Sequence, residues 1–209
     1  FIVARAEATA VASELYSLSP PPAIVGYLAG GGTTPVADLL TTPGASKAVL
    51  ELTTPYATAA LADALNDEAP PQRACTPDVA HRLAVAAFDR ALALGAPSHR
   101  AVGFGCTAAL ATQRLRRGEH RCFIAVHTRK GTHSVALTLA KGVRSRSLED
   151  AVVARCALQA IATACGLQAP SQPNGREFWR LWPEDAPLEG HRALEAEVLS
   201  MQFDPAELD

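Results

Sequence analysis

Aromatic residues make up only 5% of this 209-residue chain, and methionine occurs once. A core built on bulky rings is therefore excluded. The 48% hydrophobic share is carried mostly by Ala, Val and Leu, whose small side chains suit closely packed helix-on-sheet layers. No run approaches the roughly 18 apolar residues of a membrane helix, so no membrane partner is expected. Neither charge sign is in excess, with 19 basic against 21 acidic residues. That balance argues against a nucleic-acid or anionic-membrane partner. The segment FIVARAEATAVASELY lacks the basic-then-apolar layout of a signal peptide. Five cysteines, an odd number with no CxxC pair, argue against a disulfide framework and a structural zinc site. Buried or incidental thiols and a cytoplasmic location follow as expectations. The six histidines show no HxH or HExxH spacing, so no metal is expected; His127 and His133 flank a hairpin and read as cross-strand surface packing.

What is present is an alternation of short apolar runs and helical patterns. A helix is predicted over 3–17, stopped by SPPP, then a buried strand AIVGYLA at 23–29. Gly30, Gly31 and Gly32 form its exit turn, and Thr33 or Thr34 can cap the short helix PVADLL. A second strand is expected over 48–56 and a helix over TAALADALND. Thr76-Pro77 opens a helix that Gly95 closes. RAVGFGC, 100–106, reads as a strand, with a long, partly basic connection after it. RCFIAVHTR and THSVALTLAKG read as a hairpin joined at Lys130-Gly131. In SLEDAVVARCALQAIATACG, Ser147 with Asp150 approximates a capping box and Gly166 is a natural C′ residue. The order predicts a three-layer αβα sandwich with a mixed sheet over 1–166. Beyond it the composition shifts, and 167–209, which holds both tryptophans, reads as a C-terminal extension packing on the domain or on a second subunit.

Two glycine-bearing strand exits stand out, because ligands of open α/β sheets bind at strand carboxyl ends. GGGTT can cradle a phosphate or carboxylate on backbone N–H groups and a helix N-terminus; equally, it can be a tight turn. Gly105, Cys106 and Thr107, in what reads as a strand-closing turn, would form the opposite wall of a cleft. Arg114, Arg116 and Arg117 could hold an anionic ligand, or be a solvated loop. Ser46, in Pro43-Gly44-Ala45-Ser46-Lys47, is either a turn serine or a nucleophile, and a nucleophile needs a base within reach. Lys47 is a poor base for its own neighbour.

The collinear order of glycine-rich turn, PGAS, Pro-Tyr, CTPDVAHRLAVAAFDRAL and GFGCTAAL…RRGEHRCFIAV resembles the C-terminal domain of the CinA competence/damage-inducible proteins over roughly residues 5–166. That family includes nicotinamide-nucleotide amidohydrolases. The resemblance implies a three-layer α/β domain, often dimeric, that deamidates nicotinamide mononucleotide without a metal or other cofactor. It implies Ser46 as nucleophile and Tyr56 as proton-transfer partner. Combined with the two strand exits and the basic connection, it points to a nucleotide ligand, for which Gly30, Gly31, Gly32, Thr33, Thr34, Gly105, Cys106, Thr107, Arg114 and Arg117 are the candidate binding residues.

The departures from the family pattern matter chemically. The family's lysine beyond the tyrosine falls where this chain has Ala60 and Leu61. Its Glu-Ser-Cys-Thr-Gly-Gly is here Leu28-Ala29-Gly30-Gly31-Gly32-Thr33, without the acidic group. A serine needs its proton removed, and a tyrosine with a reference pKa of about 10 is a feeble base unless a cation lowers it. Two readings follow: an amidohydrolase acting on a nicotinamide nucleotide through Ser46, or a catalytically degenerate nucleotide-binding or assembly domain.

Overall fold

The computed structural model describes residues 2–114 and 117–167. The expected extension, apart from Leu167, lies outside the described residues. Six helical and five strand segments follow one another: α1 (Ile2–Ser17), β1 (Ala23–Ala29), α2 (Thr34–Thr41), a 3-10 turn (Ala45–Lys47), β2 (Val49–Thr53), α3 (Thr58–Leu65), α4 (Pro77–Ala93), β3 (Ala101–Ala109), β4 (His120–Thr128), β5 (Gly131–Leu139) and α5 (Arg146–Ala164). They build one mixed sheet in the order β2-β1-β3-β4-β5. The three strands joined by helical crossovers run parallel, and β4 and β5 form the antiparallel hairpin. Helices cover both faces, giving the three layers that the sequence predicts. No helix among the described residues is long and apolar enough to cross a membrane.

Local signals set the helix ends. Thr76 accepts the Val79 N–H at 3.2 Å and Pro77 occupies the first turn of α4. At the end of α5, Gly166 adopts φ 83°. The Gly166 and Leu167 amides bond back to Thr163 and Ala162, both at 3.0 Å, which closes the last turn. The hairpin connection is Arg129-Lys130, one residue earlier than expected, because Gly131 pairs with Thr128.

Side-chain alternation along β3 divides the core. Val102, Phe104, Cys106 and Ala108 join Leu15, Ile24, Leu28, Leu39, Val153 and Ile161 beneath α1, α2 and α5. Tyr16 fastens α1 to α2 by donating its hydroxyl to the Leu39 carbonyl at 2.7 Å, and burial pushes its pKa up to about 12. On the other face of β3, Gly103 and Gly105 lie directly against α4. A β-carbon on Gly105 would collide with the Ala80 carbonyl and stand 2.6 Å from the Ala84 nitrogen. One on Gly103 would meet the backbone of Ala84 and Phe88. The GFG run is therefore a helix-on-strand packing device in mid-strand. The expected strand end at Cys106 is corrected: β3 continues to Ala109, because Ala29 of β1 pairs with Thr107, and Phe123, Cys122 and Arg121 of β4 pair with Thr107, Ala108 and Ala109.

Gly105→Ala is expected to cost roughly 2–4 kcal/mol, since the backbone of α4 must move to admit the methyl group. Gly118→Ala, where nothing lies within 4 Å, should stay within about 0.5 kcal/mol. Urea unfolding of both variants checks the difference.

Candidate functional site

The chemistry-bearing residues gather at the carboxyl ends of β1 and β3, where the amino ends of α2 and α5 also converge. The glycine turn is shaped by close approach. Gly30 and Gly32 hold φ 81° and 74°, a region that glycine enters without strain. A side chain at Gly31 would meet Leu110 at 2.7 Å, and one at Gly32 would meet Val153 at 2.6 Å and the Cys106 sulfur at 3.1 Å. The turn packs directly onto the end of β3, leaving no gap between the two segments there.

The amide donors of this turn already hold an anion, and it belongs to the chain. The Asp150 carboxylate accepts from the N–H groups of Gly32 (2.6 Å), Thr33 (3.2 Å) and Thr34 (3.0 Å) and from the Thr34 hydroxyl (2.6 Å). Thr33 is the N-cap of α2, but its own side chain makes no capping bond. Asp150 supplies the cap from α5, and the partial positive charge of the α2 terminus favours the carboxylate. The capping box of Ser147 with Asp150 is corrected accordingly. Ser145 caps α5, accepting the Leu148 N–H at 3.4 Å. This earlier start moves Asp150 out of the capping position and leaves it to reach α2.

The next residue does similar work at β3. Glu149 is fully buried. One oxygen accepts the Ala111 N–H at 2.7 Å, and the other lies 2.6 Å from His120 Nδ1. A buried carboxylate is tolerable only when its lone pairs are so occupied. Arg146 spans the same junction, donating to the Gly30 carbonyl at 2.8 Å and the Ala111 carbonyl at 3.1 Å. The sequence pattern marks Asp150 only as a cap of its own helix, and it marks Glu149, His120 and Arg146 not at all. Their partners lie 29 to 118 positions away, so no local spacing marks them. The one usable signal was the pair of candidate caps, Ser145 and Ser147: choosing the first releases both acids.

The remaining candidates are dispersed. Ser46 is exposed in the 3-10 turn before β2, whereas Tyr56 follows β2 and is 71% exposed. The two flank opposite ends of a strand of five residues, whose ends alone stand about 13 Å apart. The structure does not bring them together, and neither hydroxyl makes a hydrogen bond among the described residues. Tyr56, not Ser46, lies at the sheet end that carries the glycine turn. Cys106 and Thr107 are buried, and burial pushes the Cys106 thiol far above its usual range. Thr107 donates to the Thr76 carbonyl at 3.3 Å. With Gly105 pressed on α4, this trio forms core rather than a cleft wall. Arg114 and Arg117 are exposed; their carbonyls accept from Thr112 at 2.6 Å and Lys141 at 3.1 Å. No group of three or more His, Cys, Asp or Glu placed to hold a metal occurs among the described residues.

Asp150→Ala strands three amides at the start of α2 and is expected to cost about 2–3 kcal/mol. Asp150→Asn, which keeps one acceptor oxygen, should lose less. Denaturant midpoints at constant slope check both.

No family model and no curated protein sequence matches the chain. Solved structures do. A competence/damage inducible protein from Agrobacterium tumefaciens superposes with a TM-score of 0.60 at 16% identity, over 75% of this chain and 94% of that one. CinA superfamily proteins from Enterobacter cloacae (TM-score 0.60) and Escherichia coli (0.57) are each 14% identical over 78% of this chain, and over 91% and 88% of theirs. The chain shares the fold of these solved structures at 14–16% sequence identity.

Proposed function

We propose that this chain is a CinA-like domain whose role is assembly rather than serine-dependent amide hydrolysis or nucleotide binding at the glycine turn. The observation that carries the reading is the Asp150 carboxylate on Gly32, Thr33 and Thr34. It occupies the donors that a glycine turn at a strand exit would otherwise offer to a nucleotide phosphate. An incoming phosphate would have to displace a carboxylate already held by four hydrogen bonds and to overcome its charge. The wide separation of Ser46 from Tyr56 and the replacement of the family lysine by Ala60 or Leu61 support the same reading. A nucleophile without a base in reach gains nothing from its position, and losing one member of such a unit costs several powers of ten in rate.

The assembly form of the proposal is a homodimer through the β2 edge of the sheet. Leu40 on α2, Leu50 on β2 and Tyr56 just beyond it are 54%, 43% and 71% exposed. Large apolar side chains left on adjoining elements mark interaction surfaces more often than scattered single ones do. One observation favours the hydrolytic reading instead: Tyr56 lies at the same sheet end as the glycine turn.

Incubation with nicotinamide mononucleotide separates the two. The expected result is no ammonia above buffer, with Ser46→Ala and Tyr56→Phe indistinguishable from wild type. Ammonia release that Ser46→Ala abolishes would establish the hydrolytic reading. Light scattering of the full chain should report a dimer that Leu50→Asp weakens at least tenfold; a monomer at all concentrations removes the assembly form.

A further inference from the structure

We propose that His81, Thr132 and His127 form an acid-released latch that fastens the β4–β5 hairpin to α4. His127 Nδ1 lies 2.7 Å from the Thr132 hydroxyl oxygen, and His81 Nε2 lies 3.3 Å from the same oxygen. One oxygen thus joins three elements: α4 through His81, β4 through His127 and β5 through Thr132. His127 and Thr132 are cross-strand partners, so both project from the sheet face that α4 covers. Phe88 of α4 meets the His127 ring edge to face, with centroids 5.0 Å apart. The other bonds at the hairpin tip are local: the Lys130 N–H donates to the Thr128 hydroxyl and that hydroxyl donates to the Gly131 carbonyl. They shape the turn without tying it to α4.

The latch depends on proton count. A hydroxyl has one proton to donate and lone pairs to accept with. With both rings neutral, one ring N–H donates to Thr132 while the Thr132 hydroxyl donates to the bare nitrogen of the other ring. A single added proton can still be accommodated. With both rings protonated, both nitrogens are donors, and two positive charges sit at most about 6 Å apart, since each nitrogen is tied to one oxygen. Repulsion at that range in a half-buried setting shifts the opening equilibrium by roughly one to two powers of ten. Both signs of charge surround the pair, with Asp78 one turn before His81 on α4. From α4, Asp89 favours the His127 cation, while His81 opposes it. Arg129 and Lys130 of the hairpin turn add only positive charge, and His133 pairs with Val126 on the opposite face.

Burial, then the His81 charge, lowers the His127 pKa from its ordinary 6.5. The sign follows from that direction. The folded state prefers the neutral His127 ring, so its contribution to stability is complete above 6.5 and falls away below it, and the latch opens where both rings carry protons.

Hydrogen exchange on the full chain tests the latch, with protection corrected for intrinsic rates at pH 7.5 and 5.0. The amides of 128–134 should lose protection at least tenfold at the lower pH, while those of β1 and β3 stay protected. Thr132→Val, which keeps the shape and removes the shared oxygen, should show weak protection at both pH values and no step. Equal wild-type protection at the two pH values, or the same step in Thr132→Val, overturns the proposal. Should that variant not fold, imidazole titration of the wild type by NMR decides. Coupled titration of His81 and His127 supports the latch, and independent single-site curves overturn it.

Discussion

Four hydrogen bonds to one carboxylate, that of Asp150, hold the turn between β1 and α2, and the layout of the sheet's carboxyl end follows from them. They bind α2 to α5 across the outer layer and give α2 the cap that Thr33 does not provide. Because the carboxylate sits on the partial positive charge of a helix terminus, the same contact both completes the helix and neutralises the place where an external anion would sit. Glu149, one residue earlier, ties the start of α5 to the β3–β4 connection through Ala111 and His120. Two adjacent acids on one helical turn thus knit β1, α2, β3 and β4 together.

Close backbone approach is the second constraint, and it compensates for the shortage of aromatic side chains. Helix α4 rests on β3 through Gly103 and Gly105 facing Ala80, Ala84 and Phe88. At such distances dispersion between backbones replaces the contact area that large rings supply elsewhere. The opposite face keeps its bulk in Phe104, Leu15, Leu28 and Ile161. The glycine turn repeats the device at the end of the strand, where Gly31 and Gly32 meet Leu110, Val153 and Cys106. Between an anion cradle for a ligand and a tight turn, the geometry favours the turn, packed against β3 and α5.

The parts of the fold readable from sequence are those fixed by neighbours in the chain. Thr76-Pro77, Gly166 and the two apolar runs of the hairpin each carry their own local physics, and the elements lie where those signals put them. Thr107-Ala108-Ala109 misleads, because alanine favours helix; pairing with β4 overrides that preference. The site is harder to read. The composition of Ser145–Asp150 permits two caps two residues apart, and only contact with α2, more than a hundred residues away in sequence, selects between them. Ser46 and Tyr56 are near in sequence but separated by β2, since an extended strand turns short sequence spacing into distance.

An amide-resolved NMR titration of the full chain with nicotinamide mononucleotide, alongside one with inorganic phosphate, addresses the filled turn directly. With the Asp150 carboxylate seated on the turn, the Gly32, Thr33 and Thr34 amide resonances are expected to stay in place up to millimolar concentrations of either. Saturable shifts of those three amides in the wild-type protein would contradict it.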